Sequence, residues 1–410
     1  MNQFPKLAAA LEAARTQSVS PRQANQQFDS SMRSAVSKRA LKVCIVGLKC
    51  YDHISEKPVP QYLGGIETQL AVLARGLLRE GCEVSLVTFD HGQNDEETFG
   101  GVKVFKSYSP TGGVRVVRSF ARAKLLWKAM QRADADIYLQ MGAGSETGLS
   151  ALGCRFKSPR ARRFVFCLAS DADCKGAMGT SRFSMENRLY RHGAKKAALI
   201  VAQTQNQQRN LKKNFGLDAG IIPMAVPDMF DSSVERRANK VLWVGRLMPE
   251  KRFEWLLEAA RRCPEMEFHV AGTPNQPSGY AAQVLAEAKT VPNVHAHGRL
   301  ARADLNKLFQ SAGLLCCTSM LEGFPTTFLE AWSSGLPVVT TFDPDGIVAR
   351  EGLGSVVTTV DELVAQLRSL PNTEACARMA RAAREFFLEN YSVETIARAF
   401  RLAFEGVVAA

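Results

Sequence analysis

No apolar run in this sequence approaches the ~18 residues that would span a bilayer, which argues against a transmembrane helix. The opening stretch MNQFPKLAAALEAARTQ carries Glu12 and Arg15 where a signal peptide needs an unbroken apolar core, so the chain reads as cytosolic. Cysteine occurs ten times but never as Cys-x-x-Cys, and most copies lie inside apolar runs, such as Cys44 in KVCIVG and Cys167 in FVFCLA. That scatter argues against a disulfide scaffold or a zinc site and for reduced, buried thiols. Histidine occurs only six times. His295 and His297 alternate in NVHAHG and share one face of a predicted strand; two are too few for a metal site, and hydrogen-bonded strand residues are the better reading. No Gly-x-Gly-x-x-Gly follows the first strand, which disfavours an NAD-dependent oxidoreductase. Zinc fingers, aromatic RNA-binding motifs and a helix-turn-helix pattern are all missing, so nucleic acid is not an expected partner.

What is present is ordinary globular composition, 46% hydrophobic and 22% charged, at a length suited to roughly two to three domains. The formal charge of +12 is uneven. From Lys103 to Arg163 there are thirteen Lys and Arg against Asp134, Asp136 and Glu146, a local net of +10. Such a surface attracts anionic lipid headgroups or acidic glycans.

Residues 1–39 are polar, rich in Gln, Ser and Arg, and read as a mobile arm. Short apolar runs then alternate with helical periodicity: LKVCIVGL, a helix from GIETQ, EVSLVTF, VKVFKSY, a helix over 114–133, DIYLQM, a helix near 147–153, RFVFCLA, a helix over 185–198, ALIVAQT and a helix over 205–215. A break with Pro223 and Pro227 follows, and the alternation restarts at KVLWVGRL and runs to LPVVTT. The pattern predicts an α/β protein of two successive doubly wound domains, each a parallel sheet covered on both faces. The end of the chain reads as helical throughout, with Ser392 opening a final helix. Ligands of such sheets bind at the carboxyl ends of the strands, which places the expected site in a cleft between the domains.

Several strand ends carry the chemistry for such a site. Gly64 and Gly65 in YLGGIETQ open a helix, where backbone N–H groups and the helix dipole favour an anion, although paired glycines often only make a turn. In WVGRLMPEK, Arg246 follows a strand and Lys251 precedes a helix; they suit a diphosphate, or are solvated loop residues. In SMLEGFPTTFLEAW, Pro325 or Thr326 starts a helix after Gly323 and Phe324, so the N–H groups around Thr326 and Thr327 make a second anion site. Glu330 on that helix can accept hydrogen bonds from a vicinal diol such as ribose, and Glu322 from sugar hydroxyls nearer the anomeric carbon. The alternative for each is a buried ion pair.

EGFPTTFLEAWSSGLPVV resembles the Glu-x7-Glu segment of glycosyltransferase family 4, retaining enzymes of the GT-B fold. GGIE, VGRLMPEK and ENYSVETIARAFRLAF stand in the family's order and spacing, so the resemblance covers about residues 41–408. It implies two facing Rossmann-like domains: an N-terminal acceptor domain over 40–225, completed by 391–410 as the last helix crosses back, and a nucleotide-sugar donor domain over 226–390. It implies that Glu330 holds the ribose, Glu322 the transferred sugar, and Arg246 and Lys251 the diphosphate, with the Gly64–Gly65 loop closing over it. A nucleotide-diphosphate sugar is then the co-substrate, a glycan or lipid-linked hydroxyl the acceptor, and no cofactor or metal is expected. One departure stands out. Where many members carry a histidine, RFVFCLASDADC has Ser170, followed by Asp171 and Asp173, so that role is not carried over; either one of these three replaces it, with Asp171 the catalytic candidate, or the site is inactive. A nucleotide-sugar epimerase, a phosphorylase or an inactive nucleotide-sugar-binding protein are the alternatives.

VRVVRSFARAKLLWKAMQRA, residues 114–133, sets Val116, Phe120, Ala123, Trp127 and Met130 on one stripe among Arg118, Arg122, Lys124, Lys128 and Arg132. Either this basic amphipathic helix lies in a membrane's headgroup region, or its stripe packs on the protein's own sheet. The local charge favours the first, making an anionic cytoplasmic membrane face an expected partner.

Overall fold

The computed structural model describes residues 39–57, 65–110, 115–156, 161–174, 185–274 and 278–410. The arm over 1–38, Gly64 and the side chains of 115–119 lie outside the described residues. The first half of the chain builds one sheet from β1 (Lys42–Val46), β2 (Glu83–Thr88), β3 (Glu96–Phe99), β4 (Val102–Lys106), β5 (Ile137–Met141), β6 (Arg163–Cys167), β7 (Leu199–Ala202) and β8 (Gly220–Ile221). The second half builds another from β9 (Arg237–Val244), β10 (Glu267–Ala271), β11 (Val294–Gly298), β12 (Ala312–Cys317), β13 (Val338–Thr340) and β14 (Gly354–Val356).

The strand orders are β3-β4-β2-β1-β5-β6-β7-β8 and β11-β10-β9-β12-β13-β14. Both contain the doubly wound order in which the first strand sits centrally and the chain winds outward to each side. The central strands are apolar at nearly every position because helices cover both faces: Val43, Cys44 and Ile45 are fully buried, as are Val241 and Leu242. The first sheet is not wholly parallel, as periodicity predicts. β3 pairs antiparallel with β4 at its edge. The cause is local: Gly100 and Gly101 have φ of 54° and 90°, the two positive angles that a tight two-residue hairpin demands.

The last two helices, Glu374–Asn390 and Val393–Ala409, belong to different cores. Phe387 and Tyr391 pack with Trp332 and Phe328 under the second sheet. Ile396, Phe400 and Phe404 pack with Leu70, Leu73 and Leu77 under the first. The crossing is thus complete within a few residues, and Ser392 caps the new helix by accepting from the Thr395 N–H at 3.2 Å. Gly76 permits the close approach, since a Cβ there would stand 2.8 Å from that of Ala397.

All ten cysteines are unpaired; eight are buried, and Cys154 and Cys376 are half-buried. The helix Arg115–Ala133 corrects the expectation of a membrane-facing stripe. Leu126, Ala129 and Met130 are buried against Val46, Val87, Phe105 and Tyr138, and Ala123 is buried too, because an outer helix of a doubly wound sheet must cover the strands beneath it. Trp127 packs partly against the same cluster. Phe120, at 80% exposure, stays outside. Among the described residues no helix is long and apolar enough to cross a membrane.

Candidate active site between the two sheets

The loops after β9 and β12 are clamped together. The Trp243 indole N–H donates to the Thr318 hydroxyl at 3.1 Å, and that hydroxyl donates to the Lys251 carbonyl at 2.6 Å. Arg252 donates to the Thr318 carbonyl at 2.8 Å, and the Met320 N–H to the Glu250 carbonyl at 2.8 Å. Arg252 itself is left-handed, at φ 45°, a cost set against its side-chain hydrogen bond and its stacking 4.0 Å from the Trp255 ring centre. The clamp brings the Lys251 ammonium against the Glu322 carboxylate, with side chains only 18% and 17% exposed. Arg246 stands exposed at the end of β9 and, among the described residues, has neither a hydrogen bond nor an ion pair.

Glu330 is buried on the helix Thr326–Ser333 between Leu329 and Ala331. Its partner is Arg302, whose guanidinium lies 2.5 Å from Oε1. Arg302 opens the helix Arg302–Ser311 a few residues after β11 ends, and so reaches across from the carboxyl end of the sheet's edge strand. Sequence reading missed it. The signal was available in principle, since a carboxylate flanked by Phe328, Leu329 and Trp332 needs a cation, but nothing in sequence says which of many supplies it.

Pro325 caps the same helix with a φ of −65°, leaving the first N–H groups unbonded within the helix. The helix Gly65–Arg79 from the first half meets this end. Gln69 donates to the Thr326 hydroxyl at 3.0 Å, and a Cβ on Gly65 would come within 2.7 Å of that oxygen. Two helix N-termini therefore converge, with the Gln69 amide and Thr326 hydroxyl between them, an arrangement whose N–H groups and dipoles favour an anion. The Phe324 ring turns the other way, 5.4 Å from Tyr391 and 6.0 Å from Trp332, so what it can offer a ligand is backbone.

Gly323 abuts the first half so closely that a Cβ would lie 3.0 Å from the Ser170 Cα and 3.1 Å from Gln207 Nε2. Gln207 is fully buried, its Oε1 accepts from the Gln203 N–H at 2.9 Å, and its Nε2 donor is unpaired. It too escaped sequence reading. Beside it, Asp171 accepts from Asn206 Nδ2 at 2.7 Å. Asp173 is committed elsewhere: it accepts from the Ala169 and Ser170 N–H groups at 2.7 and 3.2 Å, and burial raises its carboxyl pKa. Among the described residues no metal-ligand cluster forms around this Asp-Ala-Asp triplet.

Residues 63–228 match the family described as Glycosyltransferase Family 4, and residues 238–372 match Glycosyl transferases group 1. The chain belongs to glycosyltransferase family 4. It is 28% identical over 205 residues to the MMP alpha-(1->4)-mannosyltransferase of Mycolicibacterium hassiacum, a stretch covering 46% of this chain and 48% of that protein. It is 26% identical over 157 residues to the GtfA subunit of a UDP-N-acetylglucosamine–peptide N-acetylglucosaminyltransferase of Streptococcus pneumoniae, covering 36% of this chain and 30% of that one. The matched stretches thus span half or less of these relatives. Sucrose-phosphate synthase from Thermosynechococcus elongatus superposes with a TM-score of 0.71 at 16% identity, over 90% of this chain and all of that one. Anabaena HepE, solved with UDP-glucose, superposes at 0.65 and 17%, over 89% of this chain and all of that one. At such identities the likeness establishes the GT-B fold.

The family 4 chain therefore brings together Gly65 with Thr326, Lys251 with Glu322, and Gly323 with Ser170, while Arg246 stands apart. The Glu330–Arg302 pair yields a direct prediction. Arg302→Met strands a buried carboxylate and is expected to cost about 2 kcal/mol, below the ~3–5 of a fully enclosed pair because Arg302 is 37% exposed. Adding Glu330→Gln should recover part of the loss in urea unfolding; an unchanged midpoint for Arg302→Met alone would show that the pair does not hold the helix.

Proposed function

We propose that this chain is a retaining glycosyltransferase that moves a sugar from a nucleotide-diphosphate sugar to an acceptor hydroxyl, in cell-surface polysaccharide or glycolipid synthesis. The observation that carries the proposal is the pair of carboxylates, Glu322 and Glu330, one before and one within the helix Thr326–Ser333, whose N-terminus faces a second helix N-terminus across the cleft. The diphosphate sits at that junction, near Gly65, Thr326 and Thr327, with Arg246 and Lys251 as its cations. Glu330 accepts the ribose hydroxyls through the oxygen that Arg302 leaves open. Glu322 accepts hydroxyls of the sugar, sharing Lys251 with the phosphate.

In the reaction the bond from the anomeric carbon to the β-phosphate oxygen breaks, and the acceptor oxygen bonds to the same face. The acceptor's proton passes to the departing phosphate. Negative charge grows on that phosphate while the sugar becomes oxocarbenium-like, and Arg246, Lys251 and the helix N–H groups stabilise it in place. Glu322 orients the sugar and is not a nucleophile, unlike the second carboxylate of a retaining glycosidase. Asp171 and Ser170, on the acceptor side, stand where a family histidine is replaced. An epimerase would release altered donor without acceptor, a phosphorylase would require inorganic phosphate, and a binding protein would do neither.

Glu330→Ala is expected to weaken nucleoside diphosphate and donor alike by tenfold or more, as loss of a charged hydrogen-bond partner of about 1.5–3 kcal/mol implies. Glu322→Ala should instead depress turnover while sparing diphosphate affinity; calorimetry beside donor hydrolysis separates the two, and unchanged diphosphate binding by Glu330→Ala would refute the ribose assignment. Two cations and two helix ends already face the leaving group, so excess chelator should leave most of the rate. Abolition with rescue by magnesium or manganese would give the metal to Asp171 and its neighbours.

The acceptor's location is part of the proposal. Phe120 stands exposed on the basic helix, with Lys124 and Lys128 following at one-turn steps along the same side. Each basic residue near anionic lipid adds about 1 kcal/mol. Co-flotation with vesicles should rise with anionic lipid, fall with salt, and drop in Phe120→Ser. Indifference to anionic vesicles at low salt would leave a soluble acidic glycan as acceptor.

A further inference from the structure

The second sheet carries a histidine cluster that the donor cleft does not use. β11 is its edge strand, and His295 and His297 project from one face of it, both exposed. His295 stands in register with His269 on β10, and Glu267 lies two residues earlier on the same face of that strand. On β9 and β12 this face is covered, with Leu242 and Leu315 packed against Phe309; over β10 and β11 it is open. Counting the histidines of one strand misses the set, because parallel pairing supplies the other two groups.

Their ligand atoms are close. One donor atom each from Glu267, His269 and His295 lies within 4.8 Å of the others. His269 Nδ1 is 2.9 Å from His297 Nε2, while His269 Nε2 is buried with no hydrogen-bond partner, 3.6 Å from the Glu267 carboxylate. In the tautomer that donates Nδ1–H to His297, Nε2 turns a lone pair towards the Glu267 carboxylate. Two acceptors then face each other with no proton between them, and a cation satisfies both. Nearby positive charge opposes this: Arg237 holds the other Glu267 oxygen at 3.0 Å, and Lys240 is bonded to Ser311 at 2.7 Å.

We propose that Glu267, His269 and His295 bind one divalent transition-metal ion of the imidazole-preferring class, zinc above all, with His297 orienting His269 from behind. Imidazole and carboxylate together select such ions over magnesium or calcium. Tetrahedral zinc needs its ligands about 3.4 Å apart, given bonds of about 2.1 Å, and exposed His295 has the freedom to close that gap. A ring nitrogen hydrogen-bonded behind the ligating one is the usual means of fixing the tautomer. The ion would tie edge strand β11 to β10, and would stabilise the fold by linkage rather than take part in sugar transfer.

The test uses the full chain, stripped with chelator and desalted, then titrated with zinc chloride in a calorimeter and melted with and without zinc. One saturable equivalent and a raised Tm are expected. His295→Ala, an exposed substitution that leaves the core untouched, should abolish both, and so should His269→Gln. His297→Ala should weaken binding by about 10- to 100-fold, as loss of an outer partner does. Zinc binding that is absent below millimolar concentration in the unaltered chain, or that survives in both His295→Ala and His269→Gln, overturns the assignment; so does equal stabilisation by magnesium.

Discussion

Burying Glu330 between Leu329 and Ala331 is the constraint on which the cleft depends. An ionised carboxylate in apolar surroundings is tolerated only with a partner, and Arg302 supplies it from the start of the helix after β11, three strands along the sheet from β12. The pair therefore orients two helices relative to each other as well as holding a charge. It also links the loop after β11 to the loop after β12, just as the Thr318 clamp links β12 to β9. The carboxyl ends of three strands become a single rigid floor. Gly272 belongs to the same floor: a Cβ there would strike the Gly245 carbonyl at 1.8 Å, so the loops after β9 and β10 can only lie this close because position 272 has no side chain.

Family order made much of this readable in the sequence, but only along the chain. The Glu-x7-Glu segment, the Pro325 helix start and the Ser392 cap are local patterns, and each appears where its residues predict. What failed was whatever depended on distant partners. Arg302 is one basic residue among 52 Lys and Arg until the sheet brings it beside Glu330. Gln207 looks like any polar residue of a first helical turn until Gly323 arrives against it. His269 joins His295 only through strand register. The amphipathic helix was ambiguous for a different reason: a stripe that packs on a sheet and a stripe that enters a lipid surface have the same period, and only the burial of Leu126 and Met130 shows that this part of the stripe packs inward. The β3 strand was missed although Gly100–Gly101 is a hairpin signal, because the expectation of βαβ alternation overrode a two-residue turn.

The two halves touch through polar and backbone contacts along the cleft. Gln69 bonds Thr326 at one end, Gly323 rests on Ser170 in the middle, and Asp345 accepts from the Gln205 and Asn206 N–H groups at 2.7 and 3.2 Å at the other. Asp345 is itself left-handed, at φ 52°, so the second half holds a strained residue to cap a helix of the first. Each such hydrogen bond is worth about 0.5–1.5 kcal/mol net, with charged acceptors at the upper end.

That composition bears on how a ligand reaches the floor. Two apolar cores welded together would need a large opening energy, whereas the three hydrogen bonds just named among the described residues need a few kcal/mol, which a nucleotide diphosphate with its own hydrogen bonds can replace. The cores are separate on this reading, and the last helix shows how: Phe387 and Tyr391 serve one, Ile396 and Phe400 the other, with only the Ser392 turn between. A chain that passes from core to core in so few residues can bend there without exposing either. The close fit at Gly323 then serves as a gauge of closure, because any side chain at that position would hold the Glu322 loop off Ser170 and Gln207 while leaving both cores intact.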